Sequence, residues 1–249
     1  MSLDLQTHEP NAALFSSSTF DLPDLSGSTS TVRVPSQASG PEDLFRYRFV
    51  KRSVDVAVVV LLGIVLLPVL LLIAAAVWLS SPGPVLFSHR RIRRHGEFFT
   101  MWKFRTMCIN SGEVLERYLM MHPDARAEWR ATHKLKCDPR VTRVGRILRK
   151  TSLDELPQIF NVIAGTMSLV GPRPVVASEL DEFYGEDALY YRLVLPGITG
   201  LWQISGRSDT GYSRRVHLDA WYVRNWSLWS DILILLGTLP SVLRSRGAY

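Results

Sequence analysis

The sequence predicts an α+β chain, mostly helical, that enters a membrane from one side only: a monotopic protein. Its expected parts are a re-entrant helix–break–helix hairpin, a small β-hairpin and interfacial amphipathic helices. Three observations carry this. Val56 to Trp78 is a run of 23 residues without a charge, Pro68 sits almost at its middle, and basic residues flank it on both sides. Taken in order, residues 1–45 form a segment apart, 46–83 the membrane hairpin, and 84–249 the remaining body.

The first 40 residues hold 13 Ser and Thr with Pro10, Pro23 and Pro35 and no sustained periodicity, the composition of a disordered tail. No basic start is followed by an apolar core there, so a signal peptide is not indicated. The apolar run that follows is long enough as a helix to cross about 30 Å of hydrocarbon, and on length alone it is one transmembrane span. Two features oppose that. Arg46, Arg48, Lys51 and Arg52 precede it and Arg90, Arg91, Arg93 and Arg94 follow it, and such clusters stay on the cytoplasmic side. Pro68 removes one helix hydrogen bond and favours a kink. Each half is then about a dozen residues, ~18 Å at 1.5 Å per residue, too short to cross alone. A hairpin that enters and leaves the same leaflet satisfies both.

After SSPGP, the stretch VLFSHRRIRRHGEFFTMWKFRTM predicts two strands about a turn at Gly96. Residues 111–133 predict a helix with Met120 and Trp129 packed, and 175–195 a polar helix that PGITG ends. Near the end, Trp221, Trp226 and Trp229 precede an apolar stretch interrupted by Asp231 and Pro240. It is too short and broken to span. Tryptophans beside a short apolar helix suit the headgroup level of a membrane, and the same pattern suits a core-packed helix.

Charge narrows the function classes. The chain has 29 Lys and Arg against 23 Asp and Glu, but residues 1–45 carry one base and six acids, leaving 28 bases against 17 acids beyond, a net of +11. That surface favours phosphate-bearing substrates, acidic lipid or nucleic acid. Cys108 and Cys137 lie outside any CxxC or CxxH pattern, so neither a disulfide framework nor a zinc site is indicated. No GxGxxG or GxxxxGK[ST] occurs, which removes the Rossmann and P-loop nucleotide sites.

The segment TSLDELPQIFNVIAGTMSLVGPRP, residues 151–174, concentrates the remaining signals. Ser152-x-x-Glu155 matches a capping box, yet with Ser152 as cap Pro157 would be the fifth helical residue and would delete an intrahelical bond. With Asp154 as cap, Pro157 falls in the first turn, where no donor is needed. Asp154 is therefore expected to open the helix, held ionised by its N-terminus, with Glu155 freed from capping. An ordinary capping aspartate explains this much without function. Lys103, Arg105, Arg149, Arg173 and Arg207 are five cations near apolar or turn-forming sequence, and arginine forks and lysine point charges are what a diphosphate needs. Prolines on both sides of Arg173 restrict its backbone.

In this order, KFRTM, DPRVTRVGRILRKTSLDELPQIFNVIAGTMSLVGPRP and PGITGLWQISGRSDT resemble the bacterial sugar transferases, the polyprenyl-phosphate hexose-1-phosphate or monotopic phosphoglycosyl transferases. The likeness spans residues 46–249, and the ending resembles the galactose-type branch that initiates exopolysaccharide or O-antigen units, in its short, catalytic-domain-only form. It implies a bacterial inner-membrane enzyme whose catalytic domain, residues 84–249 with a membrane-interface C-terminal helix, faces the cytoplasm. It implies a ping-pong reaction in which Asp154 attacks a UDP-sugar, expels UMP and passes the sugar phosphate to polyprenyl phosphate. Glu155 would handle a proton or position the acceptor. Mg²⁺, with Asp154 among its ligands, and Lys103, Arg105, Arg149, Arg173 and Arg207 would offset phosphate charge. The implied partners are UDP-sugar, polyprenyl phosphate and membrane lipid, with no nucleic acid and with room for a homo-oligomer.

Two departures bear on this. Thr166 stands where many members have an acid, so it is not counted as a metal ligand, and Leu67 replaces the small polar residue often found before the mid-helix proline. The alternatives are a glucose-1-phosphate transferase of the same type, a non-catalytic basic membrane-anchored binding protein, and a nucleotide-sugar hydrolase.

Overall fold

The apolar run is one helix, α1 (Pro41–Ser80), 40 residues long, with Pro68 inside it. The computed structural model describes residues 19–23, 29–33, 41–205 and 211–243. Helical backbone runs through Pro68, whose missing N–H removes one rung of the ladder without ending it. From Phe49 to Ser80 the helix is long and apolar enough to cross a membrane.

The chain divides into two units, residues 1–38 and 39–249. In the first, β1 (Thr19–Pro23) and β2 (Thr29–Arg33) pair antiparallel, Thr19 opposite Arg33. Both strands lie within the Ser/Thr/Pro-rich residues 1–45, the last five of which belong to α1.

In the second unit, β3 (Leu86–Ile92) and β4 (Phe98–Phe104) form the expected hairpin, with Leu86 opposite Phe104 and Ile92 opposite Phe98. Gly96, at φ +78°, takes the left-handed position of its turn. Residues 111–133 are two helices, α2 (Ser111–Met121) and α3 (Pro123–Thr132), because His122 is extended and Pro123 starts the second. Met120, expected to pack, is 72% exposed. Trp129 is half-buried beneath the Arg140 guanidinium, 5.0 Å from its ring centre.

Helix α4 (Arg143–Thr151) is capped by Thr142, whose hydroxyl accepts from the Gly145 amide at 2.9 Å. A single 3₁₀ turn, Leu153–Glu155, leads into α5 (Gln158–Ile163) and β5 (Ser168–Val170). The polar segment divides into α6 (Ala177–Phe183) and α7 (Ala188–Tyr191) across a 3₁₀ turn. Then β6 (Gly197–Thr199) pairs parallel with β5, and α8 (Leu201–Ile204), α9 (Tyr212–Arg224) and α10 (Leu228–Leu243) complete the unit.

One core cluster is Ile92, Val175, Leu180, Tyr184, Tyr191 and Val216, crossed by the Tyr191 hydroxyl, which donates to the Ile92 carbonyl at 2.9 Å. Around α1 the contacts are polar. Lys51, Asp55 and Val59, at i, i+4 and i+8, form one buried stripe. Lys51 Nζ lies 2.6 Å from Asp231 Oδ2 of α10. Tyr222 and Trp226 also donate to Asp231, at 2.7 and 3.1 Å. Asp55 accepts from the Ser168 hydroxyl at 2.6 Å and the Leu169 amide at 3.3 Å. Arg52 donates to the carbonyls of Val162 and Ile163 at the end of α5, where the Val162 carbonyl also accepts from the Gly165 amide at 3.0 Å. Residues 60–69 of α1 include none that is buried, whereas Leu70, Ile73 and Val77 are buried again.

Helix α10 answers both sequence readings at once. Ser230, Asp231 and Ile234 are buried, while Trp229, Ile232 and Leu236 are exposed. Its 16 residues extend about 24 Å, short of a bilayer core.

Candidate active site

Two close approaches bring the site together. A Cβ on Gly145 would lie 2.0 Å from the Thr106 carbonyl oxygen, so only glycine lets α4 reach the end of β4. There the Arg149 guanidinium donates from Nε to the Thr106 hydroxyl at 2.9 Å. A Cβ on Gly197 would lie 2.1 Å from the Gly171 nitrogen. Backbone bonds from Gly171 to Thr199 (2.9 Å) and from Gly197 to Pro172 (2.8 Å) extend the β5–β6 pairing into the GPRP loop. Pro172 and Pro174 are buried on either side of Arg173, which is itself half-exposed. The prolines fix the strand extension, and the arginine between them faces outward.

Helix α4 ends at Ser152, which adopts left-handed geometry at φ +58°. The chain reverses there into the 3₁₀ turn that carries Asp154 and Glu155. Asp154 therefore does not open a helix, correcting the sequence reading. Pro157 is the residue before α5, and the α-helical ladder begins three residues beyond Glu155. The capping box is also absent in its side-chain form: the Glu155 amide bonds the Ser152 carbonyl at 3.2 Å, and the Glu155 carboxylate turns to Lys103 instead.

Lys103 Nζ lies 2.6 Å from Glu155 Oε1 and 3.9 Å from Asp154 Oδ2, and Arg173 Nη2 lies 3.8 Å from Glu155 Oε1. The Asp154 side chain is 13% exposed. Its burial pushes the carboxyl pKa above the ordinary value, a rise that Lys103 opposes, Glu155 reinforces and Arg149 opposes. A cavity beside the pair is lined by Arg91, Met101, Lys103, Glu155, Gln158 and Arg173, with Pro174 and Ile198.

Four of the predicted cation and carboxylate positions thus converge directly: Asp154, Glu155, Lys103 and Arg173. Arg149 joins through its charge on Asp154. Arg105 does not converge. Its guanidinium donates to the Ser81 carbonyl just after α1, and so secures the chain between the membrane helix and the hairpin. Arg207 lies outside the described residues. Sequence reasoning used Arg91 only as a flanking charge and passed over Gln158. Strand alternation carries the missing signal for Arg91: the β3–β4 register puts Arg91 and His89 on the same face as Met101 and Lys103.

Among the described residues no group of three or more His, Cys, Asp or Glu could hold a metal ion. Thr166 is occupied structurally, its hydroxyl donating to the Asn161 carbonyl at 3.1 Å. Mg²⁺ does not require such a cluster. It is ordinarily held by one or two carboxylates, with substrate phosphate oxygens and water completing the octahedron. Asp154, 3.9 Å from the cavity-lining Lys103, offers one such carboxylate and fits that donor set.

A family model for the bacterial sugar transferases matches residues 46–245. The chain is 52% identical over 202 residues to an undecaprenyl-phosphate galactose phosphotransferase of Salmonella typhimurium. It is 51% identical over 202 residues to a UDP-galactose-lipid carrier transferase of Erwinia amylovora. Each match covers 81% of this chain and 42% of the relative, so the chain spans less than half the length of those two proteins. With the exopolysaccharide production protein ExoY of Rhizobium meliloti, identity is 53% over 199 residues, covering 80% of this chain and 88% of the relative.

Proposed function

Because the chain belongs to the bacterial sugar transferase family, we propose that it transfers hexose 1-phosphate, specifically galactose 1-phosphate, from a UDP-sugar to polyprenyl (undecaprenyl) phosphate. The product is a polyprenyl diphosphate sugar, the first lipid-linked unit of an exopolysaccharide or O-antigen. The names of the relatives at 51–53% identity support the galactose donor and the lipid acceptor. The observation that carries the chemistry is the adjacent pair Asp154–Glu155, set in one turn against Lys103 and Arg173.

In the first half-reaction an Asp154 oxygen attacks the β-phosphorus of the donor. The bond to the bridging oxygen breaks, its electron pair stays on that oxygen, and UMP leaves. An aspartyl phosphosugar remains. In the second, a phosphate oxygen of the acceptor attacks the same phosphorus, and the bond to Asp154 breaks to restore the carboxylate. A carboxylate nucleophile divides one difficult phosphoryl exchange into two steps. Lys103 lies between the two carboxylates and supplies a point charge to the crowded oxygens. Arg149 and Arg173 add charge from α4 and the GPRP loop, and Arg207 from the SGR segment. Glu155 orients Lys103 and takes a proton from an acceptor phosphate that arrives protonated. Mg²⁺, held by Asp154 and the diphosphate oxygens, would supply Lewis-acid neutralisation when bound.

The anchor is read as monotopic, with the catalytic body on the cytoplasmic face of the bacterial inner membrane. Both ends of the apolar run are fastened to one body, Lys51 and Asp55 to α10 and β5 at one end and Ser81 to Arg105 at the other. This supports a helix that dips into one leaflet, bends at Pro68 and leaves on the side it entered. The exposed apolar residues 60–69 would form the immersed part.

The test is UMP release by detergent-solubilised protein with Mg²⁺, offered UDP-galactose, UDP-glucose and UDP-N-acetylhexosamines, with and without polyprenyl phosphate. Multiple turnovers only with the lipid, and fastest with UDP-galactose, are expected. Sustained turnover without lipid would make the protein a hydrolase, and preference for another sugar would change the donor.

A further inference from the structure

Beyond the Asp154–Glu155 pair stands a second group of cations that the reaction as derived leaves unused. Arg91 lines the same cavity as Lys103 and Arg173. Its Nη1 is 3.6 Å from Glu179 Oε1, and Arg215 Nη1 is 3.6 Å from Glu179 Oε2. Arg215 Nε lies 3.9 Å from Asp219 Oδ2. These separations give charge balance without hydrogen bonds. The acids are committed elsewhere: Glu179 Oε2 accepts from the Tyr212 hydroxyl at 2.9 Å, and Asp219 Oδ2 from the Tyr184 hydroxyl at 2.8 Å. Arg91 Nε and Arg215 Nε and Nη2 are buried with no hydrogen-bond partner among the described residues.

Arg215 is 93% buried, since its relative exposure is 7%. Its guanidinium lies 5.0 Å from the ring centres of both Trp202 and Tyr212, and the Arg173 guanidinium lies 5.9 Å from the Trp202 ring centre. Aromatic contact of this kind, guanidinium over ring face, fixes where a guanidinium sits. Unsatisfied buried guanidinium donors are costly in a resting protein. A ligand with several acceptor oxygens removes that cost, and a phosphate matches arginine forks in geometry and charge.

We propose that Arg91 and Arg215, with Arg173, form a second anion subsite, which takes the nucleoside-side phosphate of the donor and retains it as the phosphate of UMP when the β-phosphorus moves to Asp154. The inference rests on the transferase reading. Its placement favours the donor over the lipid. The membrane helix α1 packs on α4, α5 and β5. The subsite is built from β3, the GPRP loop, α6 and α9, around the core of Ile92, Val175, Leu180 and Val216. As the bond to the bridging oxygen breaks, its electron pair adds charge to the α-phosphate, and these arginines neutralise it.

The experiment compares wild type with Arg91→Ala, titrating full-chain protein in detergent with UMP and with uridine, and measuring the KM for polyprenyl phosphate. The subsite requires UMP binding weakened about tenfold or more, the usual scale for losing a charge-assisted hydrogen bond. Uridine binding and the acceptor KM stay as in wild type, and Arg91→Lys recovers part of the loss. Arg215→Lys, which keeps the charge but not the fork, weakens UMP by a smaller factor. Unchanged UMP affinity in Arg91→Ala, or equal loss for uridine, overturns the subsite. A raised acceptor KM with normal UMP binding assigns the phosphate to the lipid and overturns the donor placement. Failure of the transferase reading is seen separately, as absence of lipid-dependent UMP release by wild type.

Discussion

Burial works against the charge that Asp154 needs as a nucleophile, while Lys103 at 3.9 Å and Arg149 work for it. With the folded pKa raised above the ordinary carboxylate value, the linkage has a definite sign. The contribution to stability is fully present below that value and is lost as pH rises through the folded pKa. At neutral pH the ionised carboxylate therefore destabilises the fold. Asp154→Asn is expected to abolish sugar-phosphate transfer and to be more stable by about 1 kcal/mol, a common outcome when a functional strain is relieved, read as a higher midpoint in thermal unfolding at pH 7 but not near pH 3. Lys103→Met removes the charge first among those favouring ionisation, so the acidic limb of the rate profile should move to higher pH. An unmoved limb would show that Asp154 does not set it. Arg105 and Arg149 separate two roles that the sequence could not tell apart. Arg149→Ala should lower turnover about a hundredfold or more, as losing a charge-stabilising donor commonly does. Arg105→Ala removes a guanidinium that bonds the Ser81 carbonyl and does not line the cavity, and should leave the turnover of folded protein within about threefold. Both cations precede or follow apolar residues at similar spacing, and only the path of the chain after α1 decides that Arg105 meets the Ser81 carbonyl.

At the scale of elements, the anchor depends on a buried charge pair. Lys51 and Asp231 are separated by 180 residues in sequence and 2.6 Å in space, with Tyr222 and Trp226 completing the shell of Asp231. Removing one partner leaves the other buried and unpaired, which typically costs about 3–5 kcal/mol. Lys51→Met is expected to lower the unfolding midpoint sharply, and the double variant Lys51→Met with Asp231→Asn to recover part of the loss. Equal losses in both would mean the pair is not coupled. The sequence showed Lys51 as one of several basic flanking residues and Asp231 as an interruption in an apolar stretch. Neither pattern reveals a partner that lies at the far end of the chain. The hairpin was legible because strand alternation and a glycine turn are local signals. The surroundings of Asp154 were not: proline spacing put the helix start at Asp154, whereas α5 begins after Pro157, and the preceding 3₁₀ turn follows Ser152 in left-handed backbone geometry. The approach of α4 to Thr106 at Gly145 is likewise a contact no window of sequence contains.

For the whole molecule, composition and motif order made the family and the membrane helix legible, and the contacts of the folded body supply what they could not, namely which cations face one cavity. The monotopic reading belongs to this scale. Single cysteines replacing Arg48 and Arg94 should react with an impermeant reagent from the same side of sealed vesicles. Labelling from opposite sides would make α1 a true span. The central claim, that Asp154 carries the sugar phosphate, is tested most directly without the acceptor. Purified full-chain protein is mixed with Mg²⁺ and UDP-galactose, and its intact mass and the modified peptide are determined. One UMP per protein should appear in a burst, with a mass increment of one hexose phosphate on a peptide containing Asp154, and addition of polyprenyl phosphate should discharge it. Lipid-dependent turnover with no such adduct and no burst, or an adduct on another residue, would contradict the assignment.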